Sequence, residues 1–91
     1  MPFELRYHPA VRDCDIPRLD QKARARIRKA LEDRLMTAPH KYGLPLRKNL
    51  KGYWKLRVGD YRVVFKIADT EVFILGIRHR KDVYGAMVER I

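Results

Sequence analysis

The stretch Tyr53-Trp54-Lys55-Leu56-Arg57-Val58-Gly59-Asp60-Tyr61-Arg62-Val63-Val64-Phe65-Lys66 organises the chain around it. Apolar and polar residues alternate on either side of Gly59-Asp60, the period of strands with one buried face. The two-residue link suits a tight hairpin, in which Gly59 supplies the positive φ of a type II′ turn or both residues accept type I′. Counting outward from that turn pairs Val58 with Tyr61, Arg57 with Arg62, Leu56 with Val63, Lys55 with Val64 and Trp54 with Phe65. Alternation then gives Trp54, Leu56, Val63 and Phe65 one face, and Lys55, Arg57, Arg62 and Lys66 the other. Like charges directly opposite each other cost a few tenths to about 1 kcal/mol. No acidic residue on that face of the hairpin offsets the Arg57 and Arg62 pair. A broken local rule points to function, so the cationic face reads as an anion site rather than a merely solvated surface. A phosphodiester fits it, because guanidinium forks pair bidentately with phosphate oxygens.

Outward from the hairpin, Phe3 to Tyr7 alternates as a strand and His8-Pro9 ends it. Pro9 opens a short helical turn with Val11 and Cys14 on one side. A longer helix is expected from Pro17 to Met36, with Leu19, Ala23, Ile27, Leu31 and Leu35 recurring on one face and arginines on the others. His40 to Gly52 reads as a basic loop containing Arg47, Lys48 and Lys51. The run Glu71 to Arg78 is almost continuously apolar, the pattern of a strand covered on both faces. Asp82 is then a plausible N-cap for a terminal helix carrying Val83, Met87 and Ile91. The order β-α-α-β-β-β-α makes an α+β domain, a mostly antiparallel sheet with helices packed on one face.

Composition agrees. A chain of 91 residues is expected to form a single domain, residues 1–91. Its 21 Lys and Arg against 11 Asp and Glu leave a formal charge of +10, which attracts polyanions. Nucleic acid leads, an acidic protein follows, and an anionic membrane comes third because the apolar stretch Val72 to Ile77 is far too short to span a bilayer, so no membrane partner is expected. Cys14 is the only cysteine, so neither an internal disulfide nor a cysteine zinc site is available. No cofactor or metal is expected, since carboxylates do not cluster. The first residues lack a secretory pattern, which places the protein in the cytoplasm.

Leu46-Arg47, the whole run from Tyr53 to Phe65, and Ile77-Arg78-His79-Arg80-Lys81-Asp82-Val83-Tyr84 together resemble the RelE/ParE superfamily of toxins from type II toxin–antitoxin systems. The resemblance covers almost the whole chain and implies the small RelE-like microbial ribonuclease-type fold. In RelE-like members it implies a ribosome-dependent endoribonuclease that cuts messenger RNA and is neutralised by an antitoxin wrapping around it. ParE-like members share the fold and poison DNA gyrase. The RelE site combines basic residues on the central strands with an arginine and a tyrosine near the C-terminus; Lys55, Arg62, Arg78 and Tyr84 stand at the matching positions. Two departures bear on the carry-over: Trp54 lies near a place where RelE has another lysine, and the hairpin turn is one residue shorter. His79 is a group that RelE lacks there.

This resemblance implies cleavage by the RNA's own 2′-OH, giving a 2′,3′-cyclic phosphate and a 5′-OH. Arg62 and Arg78 are assigned to charge stabilisation, Lys55 or Tyr84 to proton abstraction, and His79 to general acid work, with base and acid exchangeable. Arg47, Lys48, Arg57, Lys66, Arg80 and Lys81 are the expected RNA-binding residues. The expected partners are the ribosome with its messenger RNA and a cognate antitoxin presenting an acidic or amphipathic segment; DNA is met only indirectly, through the antitoxin complex. The alternatives are a ParE-like gyrase inhibitor and a catalytically inactive RNA- or antitoxin-binding relative.

Overall fold

The protein is described by a computed structural model covering residues 2–91. Its strands are β1 (Glu4–Tyr7), β2 (Leu44–Pro45), β3 (Trp54–Val58), β4 (Tyr61–Ala68) and β5 (Glu71–His79), and its helices α1 (Gln21–Ala30), α2 (Pro39–Tyr42) and α3 (Val83–Val88). The strands form one sheet in the order β1-β5-β4-β3-β2, antiparallel except where β1 lies parallel to β5. No helix of the described residues is long and apolar enough to cross a membrane.

The hairpin has the register counted from its turn, pair for pair from Val58↔Tyr61 to Trp54↔Phe65. Gly59 has φ +60° and Asp60 does not share a positive φ, which selects type II′ over type I′. Strand β5 pairs with β4, so the last strand does lie beside the hairpin. An irregularity interrupts that ladder: Phe65 faces Ile74 while Val64 faces Gly76, leaving Leu75 as the extra residue of a bulge.

Side-chain alternation, shifted once by the bulge, divides the core in two. On one face Leu56, Val63, Phe65, Val72, Ile74 and Ile77 pack under the N-terminal helical segments through Val11, Leu19, Ile27, Leu31 and Leu35. On the other, Val64 and Leu75 meet Val83 and Met87 of α3 and Leu50 of a 3₁₀ turn, Lys48–Leu50. The apolar strand β5 is thus covered on both faces, as its sequence indicated. Gly76 makes the α3 contact possible, since a Cβ there would sit 2.2 Å from Met87 Cε and 2.7 Å from Arg90 Nη1.

Several boundaries differ from expectation. The long helix begins at Gln21 rather than Pro17, because Leu19 is extended (φ −92°, ψ 138°) and the Asp20 carboxylate caps the helix by accepting from Ala23 N–H at 2.7 Å. Val11 and Cys14 do not share the buried side. The segment Val11–Asp15 is a π-helical turn, whose wider winding aligns residues four apart, so Val11 and Asp15 are buried and Cys14 is exposed. The basic loop contains α2 and β2, the latter pairing Leu44 with Lys55 and Pro45 with Trp54. Helix α3 stops at Val88, leaving Ile91 53% exposed.

Asp15 is the only fully buried charged side chain among the described residues. Strand β1 pairs with β5 only as far as Ile74, and beyond that point Asp15 Oδ2 accepts from Ile77 N–H at 2.8 Å. Both Asp15 oxygens accept from the Arg90 guanidinium at 2.6 Å, and Arg90 also donates to Leu75 O at 3.1 Å. The hydrogen bonds to the Asp15 carboxylate hold the Arg90 pKa above its ordinary value against the opposing effect of burial. Removing one partner of such a pair strands a charge, at a cost of about 3 to 5 kcal/mol. Asp15→Asn should therefore lower the unfolding free energy by roughly 3 kcal/mol in urea titrations followed by Trp54 fluorescence; a loss below about 1 kcal/mol would show that the pair is not a stabilising tie.

Candidate nucleic-acid interface

Register brings three arginines into one row. Arg57 on β3 faces Arg62 on β4, and Arg62 faces Arg78 on β5, all on the side of the sheet opposite α1. Adjacent strands lie about 4.8 Å apart, so the row spans about 10 Å. Each arginine meets its neighbours differently. Arg62 Nη1 donates to Gly59 O and to Tyr61 O, both at 2.9 Å, which fixes the guanidinium against the turn. Arg78, 13% exposed, donates to Asp82 Oδ2 at 2.7 Å and lies 3.7 Å from Asp15 Oδ1. Arg57 is exposed and has no carboxylate within 4.0 Å among the described residues. The like-charge cost is thereby met by backbone carbonyls at Arg62 and by two acids at Arg78, and remains open at Arg57.

Next to the row, Lys55 Nζ lies 5.9 Å from the centroid of the Tyr84 ring. Tyr84 is 39% exposed because α3 covers only the β4–β5 half of this face, with Val83 and Met87 inward and Tyr84 at its margin. The uncovered β3 half forms a cleft of ≈ 400 Å³ lined by Lys55, Arg57 and Arg62 together with Arg34, Tyr42 and Leu44. Beyond β2, which pairs only with Trp54 and Lys55, the edge of β3 is open, and this lets the cleft run round toward Arg34.

Lys55, Arg57, Arg62, Arg78 and Tyr84 are thus assembled. His79 is not. Because the bulge shifts the alternation of β5, Arg78 falls opposite Arg62 while His79 falls opposite Tyr61 on the α1 side, its ring edge-on to Tyr61 at 5.7 Å. Without the bulge those two side chains would exchange faces. Lys66 shares the cationic face but lies four residues along β4 from Arg62, about 13 Å away, over the ring of Tyr53. Arg80 and Lys81 are exposed in the turn after β5, where Arg80 N–H donates to Asp60 O at 2.8 Å and so sits beside the hairpin turn. Arg47 and Lys48 are exposed at the turn beneath α3, Lys48 with φ +55°. Trp54 packs with the core, stacked on Phe65 at 6.5 Å and edge-on to His40 at 5.4 Å. Sequence reasoning missed Arg34, Tyr42 and Leu44 at the cleft rim, for which no local pattern gives a signal. It also missed Asp15 and Arg90, whose pairing spans 75 residues.

Comparison with known proteins follows the same lines. The family model for the ParE toxin of type II toxin–antitoxin systems matches residues 7–84. The chain is 34% identical over 86 residues to toxin RelG of Mycobacterium tuberculosis, covering 92% of this chain and 98% of that one. It is 39% identical over 66 residues to toxin RelE of the same organism, covering 69% and 68%. Among solved structures, a chain of the RelBE2 toxin–antitoxin complex of M. tuberculosis superposes with a TM-score of 0.81 at 32% identity, over 90% of this chain and 95% of that chain. Free E. coli RelE, in a mutant form, shares the fold with a TM-score of 0.72 at 23% identity, over 100% and 99%.

If the arginine row carries a nucleic-acid strand, Arg57→Ala will weaken binding of a single-stranded RNA and flatten its salt dependence by about 0.7 in the log–log slope, the share of one phosphate contact. Fluorescence anisotropy between 50 and 200 mM salt reads both, conditions over which such contacts change affinity steeply. An unchanged slope takes Arg57 out of the interface.

Proposed function

This chain belongs to the RelE/ParE superfamily and is a RelE-family toxin of a type II toxin–antitoxin system, and from that footing we propose that it is a ribosome-dependent endoribonuclease that cleaves messenger RNA. The observation that carries the reading is the arginine row beside the Lys55 and Tyr84 pair: cations in excess of their counter-ions, next to two groups able to move protons, with Lys55, Arg57 and Arg62 lining an open cleft. In the reaction the 2′-oxygen of the nucleotide attacks the adjacent phosphorus, the bond to the 5′-oxygen breaks, and a 2′,3′-cyclic phosphate and a 5′-OH result. Arg62 and Arg78 offset the charge that gathers on the phosphoryl oxygens. Of Lys55 and Tyr84, one takes the 2′-OH proton and the other returns a proton to the leaving 5′-oxygen. With His79 on the other side of the sheet, the second proton transfer is better assigned within this pair than to the imidazole. Arg57 and the exposed Arg80 and Lys81 serve the flanking phosphates.

The toxin's partner in this reading is a cognate antitoxin. A groove of ≈ 320 Å³ on the α1 side, floored by Leu5, Ile16 and Leu19 with Arg24 and Arg28 on its rim, suits an amphipathic segment with acidic flanks. The ParE description of the matching family keeps gyrase inhibition as the second reading.

Primer extension on a defined message in a purified translation system tests the proposal. Cuts within translated codons should appear with the wild type, fall by about a hundredfold or more with Arg62→Ala, and weaken strongly with Tyr84→Phe, in the range of losing one charge-stabilising or proton-transfer group. An intact message with normal translation refutes it, and a gyrase cleavage-complex assay then examines the second reading.

A further inference from the structure

We propose that the cleft between the Ile16–Arg18 turn and the end of β5 is a second phosphate subsite, held in the resting protein by its own Asp82 carboxylate. The cleft measures ≈ 220 Å³ and brings together Arg18, Tyr61, Arg78, His79 and Asp82. Asp82 Oδ2 accepts from Arg78 Nη2 at 2.7 Å and lies 3.7 Å from Arg18 Nη1. Two guanidinium groups converging on one anionic oxygen is the arrangement by which proteins hold phosphate. His79 Nδ1 accepts from Lys81 N–H at 3.2 Å, so the neutral ring keeps its proton on Nε2, where it is a donor. The other carboxylate on the cleft, Asp15, is engaged by Arg90 and Ile77 N–H and stays in place.

Asp82 is suited to give way. Its side chain is 45% exposed, and it stands at the N-cap position of α3 without making a capping bond, its carboxylate being taken by Arg78. The N–H groups of the first helical turn are the donors that an N-cap aspartate ordinarily serves. When a phosphate takes over Arg78 and Arg18, the carboxylate can turn to those N–H groups, so neither the arginines nor the aspartate loses a partner. Arg78 borders both this cleft and the arginine row, so a strand bound along the row can set a neighbouring phosphate here. That the phosphate belongs to RNA rests on the ribonuclease reading; that the cleft takes phosphate does not.

Titration with inorganic phosphate, followed by the imidazole NMR signals, tests the subsite. His79 should shift while His8 and His40 serve as references. Asp82→Asn, which removes the resident charge and keeps a capping side chain, should bind phosphate more tightly on the order of five- to tenfold, the scale of one charge-assisted hydrogen bond partly exposed to water. Arg18→Ala should weaken it. An uncleavable 2′-O-methyl RNA should gain affinity for Asp82→Asn in parallel. A His79 signal unmoved in both proteins, or an Asp82→Asn protein that binds phosphate no better, overturns the subsite. Tighter phosphate without tighter RNA overturns RNA as its source. A protein that cuts no message yet shows the His79 response defeats the ribonuclease reading alone.

Discussion

One carboxylate without access to solvent joins three parts of the chain that are distant in sequence. Asp15 stands where β1 has ended and β5 continues, and it accepts the Ile77 N–H that a longer β1 would otherwise serve. The same two oxygens bind Arg90, whose side chain crosses over Gly76 to reach them. A buried charge is tolerated only when it is paired and hydrogen-bonded, and here the pairing requires that the N-terminal turn, the bulged strand and the segment after α3 be in their native places together. The seating of α3, and with it the position of Tyr84, depends on that arrangement.

Seen from the sheet, the fold divides labour between its faces. The α1 side is closed by apolar packing from both hairpin strands and β5. The opposite side is half closed, since α3 covers Val64 and Leu75 and leaves the β3 margin open. A face that is partly sealed can hold like charges in register, because the seal fixes Arg78 and the turn carbonyls fix Arg62, while the open margin leaves room for a polyanion. The structural cost of aligning arginines is thus confined to a place where an incoming phosphate would relieve it.

The hairpin register was legible because strand alternation and a Gly-Asp link constrain each other: a slip of one residue would turn Leu56 and Val63 to the wrong side. Strand β5 was legible from its unbroken apolar run. What escaped were changes of period. Neither the π-helical turn that buries Asp15 in place of Cys14 nor the bulge at Leu75 leaves a mark in a pattern of apolar and polar residues, yet each decides which of two neighbours points inward. Arg78 was placed at the cleavage site by resemblance and His79 as its general acid, yet adjacent residues of a strand face opposite ways, and the bulge determines which of the two belongs to the arginine row. Asp82 was read correctly as standing at the start of α3 and incorrectly as capping it, since Arg78 competes for the same oxygens. Long-range pairs such as Asp15 with Arg90 have no local signature at all.

The pairing of β1 with β5 also orders events during synthesis. Glu4 to Tyr7 emerge from the ribosome early but find their partners only at Glu71 to Ile74, and Asp15 waits 75 residues for Arg90. Loop closure over such separations is slow and cannot precede the arrival of the later segment. The buried ion pair, the seated α3 and the assembled arginine row can therefore coexist only once Arg90 has been made and has emerged, which separates the appearance of β1 in time from the appearance of the finished surface.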